Sequence, residues 1–229
     1  MKKHIEGFTL VELLVLVIVM ALLAVFVIAI QTPPRINTRR AQSKAQLRGI
    51  HQSLVMYAQN NRGQYPGLNA KRELESPTVE ARFKLLIAGG FFTADYAICP
   101  IEVKTIWTSG KVTTDNYSYA MLDITEDGVR AKRAVEWQEH LNDKAAVIGD
   151  RNLGVNSLDQ VRSLYGDEED AGQWRGSVVY NDNHVVFEKS HVISTQYGEA
   201  YKNAMDNLFS EDTENSDEYC DAMFIYSGE

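Results

Sequence analysis

Residues 13–30 read LLVLVIVMALLAVFVIAI, eighteen positions without a polar side chain. Counted from Phe8, the run has twenty-three residues and is interrupted only by Thr9 and Glu12. As a helix it would be about 34 Å long at about 1.5 Å per residue, which exceeds a bilayer core of about 30 Å. A soluble domain of this size needs no helix that is apolar on every face. The stretch therefore predicts a membrane-spanning helix over residues 8–30.

The residues that follow this run predict a second, different helical segment. Pro33 and Pro34 should end or kink the first helix. Apolar or small residues then recur at spacings of three, four and seven, which predicts an amphipathic helix from about Thr38 to Asn61. Together the two segments predict one long N-terminal helix with a proline break.

Composition excludes several classes of protein. The chain has 229 residues, of which 45% are hydrophobic, and a formal net charge of -8. This length suits one domain or two small ones, and 5 Pro and 15 Gly are too few for a collagen-like or wholly disordered chain. Two cysteines cannot make a disulfide-dense scaffold, and the net acidity argues against a nucleic-acid partner.

Charge is distributed unevenly along the chain. Residues 8–72 contain eight basic residues and a single acidic one, Glu12, whereas residues 73–229 contain thirteen basic and twenty-nine acidic residues. The sequence therefore predicts a basic stalk joined to an acidic head.

The head is predicted to be mixed. Strand patterns occupy residues 117–124 and 145–148, and the clearest hairpin is SVVY-NDN-HVVF at residues 177–187. Short helices are predicted from Ser76-Pro77 to Ala88 and from about Gly198 to Phe209. The predicted fold class is α+β, a long N-terminal helix packed on an antiparallel β-sheet head. The predicted order is leader 1–7, spanning helix 8–30, amphipathic helix 31–63, head 64–209 and acidic tail 210–229.

The start of the chain carries a specific motif. The basic leader MKKHIEG ends in Gly7 and is followed by FTLVELL, so the junction reads GFTLVELL. This string resembles the processing motif of type IV pilins and of the pseudopilins of type II secretion. The resemblance covers roughly residues 1–30. It implies that a prepilin peptidase cuts between Gly7 and Phe8 and methylates the new N-terminal Phe8.

Glu12 needs a partner on physical grounds. An acidic side chain at the centre of a bilayer costs about 2.5 to 3.5 kcal/mol by insertion scales, and less where it reaches the headgroups. A carboxylate that reaches the headgroups is one interpretation. The resemblance implies the other, in which Glu12 neutralises the amine of a neighbouring subunit's Phe8 as helices bundle into a filament, where a low dielectric strengthens the attraction.

A second resemblance lies in the head. The segments AICP, YSYAML, GDRN and NDNHVVF are similar to those of a large-headed pseudopilin-like subgroup. The terminal hairpin of that subgroup commonly has an aspartate-glycine-histidine-valine turn. Asn183 stands where the glycine would fall.

Other chemistry is sparse in the sequence. Cys99 and Cys220 can form a disulfide in an oxidising compartment, with two separate thiols as the alternative. The histidines at positions 51, 140, 184 and 191 are scattered, so surface or hairpin positions are favoured over metal ligation. In GDEED, Asp167 and Asp170 are candidate calcium ligands, with a solvated acidic loop as the alternative. No nucleotide or zinc motif is present, so neither a cofactor nor an enzymatic activity is expected.

The sequence thus predicts a structural subunit of a type IV pilus-like or type II secretion pseudopilus filament. The resemblance implies these partners: the prepilin peptidase, the assembly platform and its ATPase, inner-membrane lipid, and copies of itself or other pilin-like subunits. It implies a single pass in the bacterial inner membrane with the head outside the cytoplasm. The alternatives are a single-pass membrane-anchored binding module or enzyme, and a soluble exported protein released by signal peptidase.

Overall fold

The structure is a computed structural model and describes residues 9–31, 36–125, 133–155, 160–166, 172–199, 201–210 and 221–227. Side chains are described over the same ranges except 24–31 and 201. The chain divides into two compact units, Met1–Asn37 and Thr38–Glu229. Each unit is described by itself below.

The first unit contains helix α1, Leu10–Gln31. Its sequence contains no glycine or proline that would break a helix. Glu12 lies in the first turn, where a negative charge interacts favourably with the helix dipole. Helix α2 is separate and runs from Ile36 to Gln59. The two prolines between them, Pro33 and Pro34, each lack the backbone N–H that a continuous helix needs.

The predicted fold class is corrected on this point. The amphipathic helix predicted after the proline break is present as α2, but the prediction of a membrane-spanning helix is wrong, because no helix in the described part of the chain combines the length and apolar content required to cross a membrane. The antiparallel sheet is present, so the α+β class holds in part.

The second unit begins with one buried helical face. The buried residues of α2 recur at helical spacing and are Ser43, Gln46, Leu47, Ile50, His51, Ser53, Leu54 and Ala58. Helix α3, Val79–Ala88, confirms the helix predicted up to Ala88. Its N-cap is Thr78 rather than Ser76, because the Thr78 side chain accepts the Ala81 N–H at 3.3 Å.

A five-stranded antiparallel sheet forms the centre of the second unit. Its strands are β1 Tyr119–Leu122, β2 Ala146–Asp150, β3 Gly176–Tyr180, β4 Val185–Glu188 and β7 Phe224–Ile225. They lie in the order β4-β3-β2-β1-β7. Strands β1, β2 and β3 are buried along their whole lengths, and β2, β3 and β4 contain the β-branched residues that favour strands.

The hairpin predicted at residues 177–187 is confirmed as β3 and β4, paired through Val178↔Val186 and Val179↔Val185. Its turn places Asn183 at a φ of 71°, in the left-handed region that favours glycine. Asparagine tolerates this conformation better than other residues with a side chain. Asn183, the residue that departs from the subgroup pattern, therefore occupies a backbone conformation that glycine also adopts readily.

The helix predicted from Gly198 to Phe209 is wrong, because a second hairpin occupies this region. Strand β5, Val192–Tyr197, pairs with β6, Tyr201–Asn207. Gly198 provides the turn with a φ of 65°. On β6, the buried Asp206 carboxylate accepts the Thr195 hydroxyl from β5 and the Ala222 N–H at 3.0 Å. These long-range contacts outweigh the local helical preference.

The C-terminal strand completes the sheet at the edge next to β1. Leu122 on β1 faces Phe224 on β7. The Tyr226 hydroxyl then contacts the carbonyl oxygens of Thr114 at 2.7 Å and Tyr117 at 2.9 Å. Residues 221–227 are thus fixed to the centre of the head.

Candidate functional site

The N-terminal end of α1 is closed by a reciprocal hydrogen-bonded cap. The Glu12 carboxylate accepts the Thr9 backbone N–H at 2.9 Å and the Thr9 hydroxyl at 3.0 Å. In return, the Thr9 hydroxyl oxygen accepts the Glu12 N–H at 3.2 Å. This is a capping box, which satisfies two backbone donors that the first helical turn leaves without partners.

The cap gives Glu12 a role that the sequence analysis did not include. The pattern Thr-x-x-Glu before an apolar run is itself the signal of a capping box, and it is present in TLVE. The carboxylate is held at the helix start by its own chain, where the helix dipole also favours a negative charge. Gly7 and Phe8, the predicted cleavage and methylation residues, lie outside the described residues.

The side of α1 beyond the cap exposes a large apolar surface within the first unit. Exposed fractions of its large hydrophobic residues run from 49% at Val19 to 81% at Leu10. Soluble monomers rarely expose contiguous apolar patches of more than a few hundred Å². The surface therefore requires an apolar covering that the described residues of the first unit do not supply.

A groove of about 480 Å³ runs along this surface. Two rows of residues at i+4 spacing line it: Val11, Val15 and Val19 on one side, Glu12, Leu16 and Met20 on the other. Rows at this spacing are the ridges of helix packing, and the groove between them accepts a ridge of another helix. The Glu12 carboxylate lies in the row at the capped end.

Cys99 lies in the second unit, buried beneath α2. It is a free cysteine whose thiol donates to the Ser43 hydroxyl oxygen at 3.6 Å. Burial raises the pKa of the Cys99 thiol, which keeps it protonated and unreactive.

The predicted disulfide partner of Cys99, Cys220, lies outside the described residues, as do the candidate calcium ligands Asp167 and Asp170. Within the described part of the chain, no cluster of three metal-ligating side chains occurs.

The prediction of surface or hairpin positions for the histidines is wrong for two of them. His51 and His191 are 1% and 7% exposed. His51 lies on the buried face of α2, where its Nε2 is 3.4 Å from the Asn181 side-chain oxygen. Burial lowers the pKa of His51 and keeps the ring neutral. A lone histidine on an amphipathic helix gives no signal of such a partner 130 residues away.

The buried carboxylate of Glu136 is the centre of a cluster of polar side chains in the second unit. Its oxygens accept the Asn142 amide at 2.8 Å, the Gly198 backbone N–H at 2.8 Å and the Asn181 amide at 3.2 Å, and one lies 3.0 Å from His140 Nδ1. Although burial acts to raise it, these hydrogen bonds hold the pKa of Glu136 below its ordinary value. The cluster joins both hairpin turns to residues 136–142, and sequence reasoning missed it.

Taken together, the head contains closed polar clusters that join structural elements, whereas α1 presents an open apolar surface with an ordered carboxylate at one end. The open surface can associate with another helix, and the closed clusters can hold the head rigid. Comparison with known protein families, with curated proteins and with solved structures finds no match to this chain.

Proposed function

We propose that this protein is a structural subunit of a type IV pilus-like or type II secretion pseudopilus filament, in which α1 helices of neighbouring copies pack together. The observation that carries the proposal is the exposed apolar surface of α1 with its two-rowed groove. A ridge from a second α1 fits a groove of this form, and helices with identical faces can assemble into an open array.

The cap sharpens the role proposed for Glu12. One Glu12 oxygen, Oε2, accepts both hydrogen bonds from Thr9, while a carboxylate has acceptor sites on two oxygens. Glu12 can therefore keep the cap and also accept a charge-assisted hydrogen bond from an ammonium group. The partner we propose is the amine of Phe8 on an adjoining copy, released by a prepilin peptidase.

The proposal includes the remaining steps of assembly. The precursor is processed at the bacterial inner membrane, and the assembly platform and its ATPase add each subunit to the filament. Other pilin-like subunits can join through the same α1 surface. Support for these steps comes from the GFTLVELL motif and from the α1 geometry. The proposal assigns no catalytic role to the head.

Mass spectrometry of the mature N-terminus in a host with a prepilin peptidase tests the processing step. We expect a chain that begins with methylated Phe8. A chain that retains residues 1–7 would contradict the proposal and favour an anchored binding module or enzyme. A chain that begins near Ile30 would favour an exported protein released by signal peptidase.

A matched pair of Glu12 variants tests assembly. Glu12→Gln retains a side chain that can complete the capping box but removes the charge, whereas Glu12→Leu removes both. Because the proposed partner is an ammonium group, we expect both variants to lower the yield of sheared filaments by about tenfold or more, equivalent to about 1.4 kcal/mol or more per subunit contact. Wild-type yield from Glu12→Leu would overturn the proposal, and wild-type yield from Glu12→Gln alone would reduce Glu12 to a capping residue.

A further inference from the structure

The buried end of strand β2 holds a carboxyl group that connects three elements. Asp150 is 0% exposed. Its Oδ2 accepts the Ser177 backbone N–H of β3 at 2.6 Å, and its Oδ1 accepts the Ser43 hydroxyl of α2 at 3.3 Å. One side chain therefore ties the first half of α2 to two strands of the sheet.

Further hydroxyl groups extend this connection. The Ser43 hydroxyl lies 3.2 Å from the hydroxyl of Tyr119 on β1, and Tyr119 in turn donates to the Gln46 side-chain oxygen of α2 at 2.9 Å. Ser43 also accepts the thiol of Cys99. The whole cluster belongs to the second unit and is closed to solvent.

The hydroxyl groups around Asp150 can form hydrogen bonds with its carboxyl group in either protonation state. A hydroxyl donates to an ionised carboxylate and accepts from a protonated one. Besides Ser43, the buried hydroxyls of Tyr165 and Ser177 lie beside the carboxyl group and, as hydrogen-bond donors to it, act to lower its pKa. No cation among the described residues pairs with Asp150. The arrangement holds the carboxyl group without fixing its charge.

Burial decides between the two states. Removal from water raises the pKa of Asp150 to about 6, although its hydrogen bonds act in the opposite direction. The carboxyl group of Asp150 is therefore mostly neutral below about pH 6 and mostly ionised above that pH. A buried charge without a cationic partner costs free energy, so ionisation opposes the packing of α2 on the sheet.

Among the titratable groups that face one another here, only Asp150 changes its charge near pH 6. Those that face it are Cys99, Tyr119 and Tyr165, and burial raises the pKa of each above its ordinary value. The basic side chains of the adjoining segments are engaged elsewhere. The Arg40 guanidinium lies over the Phe187 ring at 4.0 Å, Arg151 pairs with Glu102, and Arg175 donates to the Tyr165 carbonyl oxygen at 2.8 Å.

We propose that the cluster of Ser43, Tyr119, Asp150, Tyr165 and Ser177 is a proton-operated clasp between α2 and the sheet. With Asp150 protonated the clasp is closed. Loss of the proton loosens the first half of α2 from strands β1 to β3. The inference is independent of the proposed filament function, because it concerns contacts within one head.

Urea unfolding of the full chain in mild detergent between pH 4 and pH 7 tests the clasp, with Asp150→Asn as the variant. The folded pKa of about 6 exceeds the ordinary 3.8 of an unfolded aspartate. The contribution of Asp150 is therefore fully present below about pH 3.8 and is lost as the pH rises through 6. We expect the unfolding constant of the wild type, divided by that of Asp150→Asn, to rise about a hundredfold over this range. A ratio that does not change with pH would overturn the proposal.

Glu136→Gln is the matched control, because Glu136 is also a buried carboxylate but has a lowered pKa. Its contribution is present above about pH 4.5 and lost as the pH falls, so the corresponding ratio should fall as the pH rises. Amide exchange locates the effect. Protection of the Ser177 amide and the amides of residues 43–47 should fall relative to Asp150→Asn as the pH rises, while that of the Gly198 amide should not.

A direct titration covers the case in which Asp150→Asn fails to fold. The carboxyl carbon of Asp150, followed by carbon-13 NMR in the wild-type chain, should titrate with a midpoint near 6. A midpoint near the ordinary 3.8 would show that the carboxyl group is ionised throughout the neutral range, and the clasp would then be rejected.

Discussion

The two compact units of this chain differ in the exposure of their apolar side chains. Leu16 in α1 is 52% exposed, whereas Leu54 in α2 is 0% exposed. The second unit covers its own core with a sheet, two helices and the C-terminal strand. Residues 10–23 expose theirs. Because apolar burial is the main favourable term in folding and in association, the second unit gains stability from its own core, and residues 10–23 would gain comparably if a partner covered them.

The largest expected effect is a loss of stability in the head when Arg133 is removed. Its absence would contradict the view that buried contacts hold the head together. Arg133 is buried, donates to the carbonyl and carboxylate oxygens of Asp123, and lies 3.7 Å from the Asp221 carboxylate. Arg133→Ala leaves buried negative charge without its partner, so we expect urea unfolding to show a loss of about 3–5 kcal/mol. Arg48→Ala, at an exposed position on α2, should change stability by about 0.5 kcal/mol or less. Equal effects of the two variants would contradict the assignment of Arg133.

A pair of leucine truncations sharpens the comparison next. Leu54→Ala should lower the stability of the head by about 2–5 kcal/mol, whereas Leu16→Ala should change it by about 0.5 kcal/mol or less. All three tryptophans, Trp107, Trp137 and Trp174, belong to the second unit, so their fluorescence during urea unfolding reports on the head alone. Leu16→Ala should instead weaken self-association, measured by sedimentation. A large loss of head stability in Leu16→Ala would mean that the head depends on α1.

Patterns of short period predicted much of the head. The alternation and turn of SVVYNDNHVVF predicted β3 and β4, and the short helix predicted up to Ala88 is α3. The same reasoning failed at β6, where Asp206 is satisfied by Thr195 and by Ala222, contacts that no local pattern encodes. It also missed the polar clusters around Asp150 and Glu136, because each gathers partners from distant segments.

The failure at the N-terminal end is of a different kind. The signal for the cap, Thr9 three residues before Glu12, was visible in the sequence. The charge of Glu12 within an apolar run instead favours a partner outside its own chain, so the two signals in this segment point to different roles. The calcium, disulfide and cleavage predictions that involve Asp167, Asp170, Cys220, Gly7 and Phe8 stay predictions.

A smaller effect, expected from His51, has a defined pH dependence. Burial lowers its folded pKa below the ordinary 6.5, so the unfolded chain binds a proton more readily. The contribution of His51 to the stability of the head should therefore fall as the pH drops below about 6.5, by at most about 1.4 kcal/mol per pH unit. His51→Gln should remove that slope in urea unfolding, while Tyr65→Phe, which removes a donor to the same Asn181, should retain it. An unchanged slope in His51→Gln would assign the dependence to another group.

The smallest expected effect concerns the cap of α1. Thr9→Ala removes the hydroxyl that accepts the Glu12 N–H and should destabilise the start of the helix by about 1 kcal/mol, whereas Thr9→Ser should retain the cap. Faster amide exchange at residues 10–13 in Thr9→Ala, without any change in tryptophan fluorescence, would be the expected result. Equal exchange in the two variants would show that the capping box contributes nothing measurable.

The C-terminal strand has a consequence for how the head is made. The hydroxyl of Tyr226 reaches the carbonyl oxygen of Tyr117 across a separation of 109 residues, and β7 lies directly against β1. Contacts of such long range form slowly, because the loop between them must close first. Residues 224–226 therefore have to leave the ribosome before this edge of the sheet can be completed, and until then β1, paired with β2 on one side only, would be an edge strand with unpaired backbone groups.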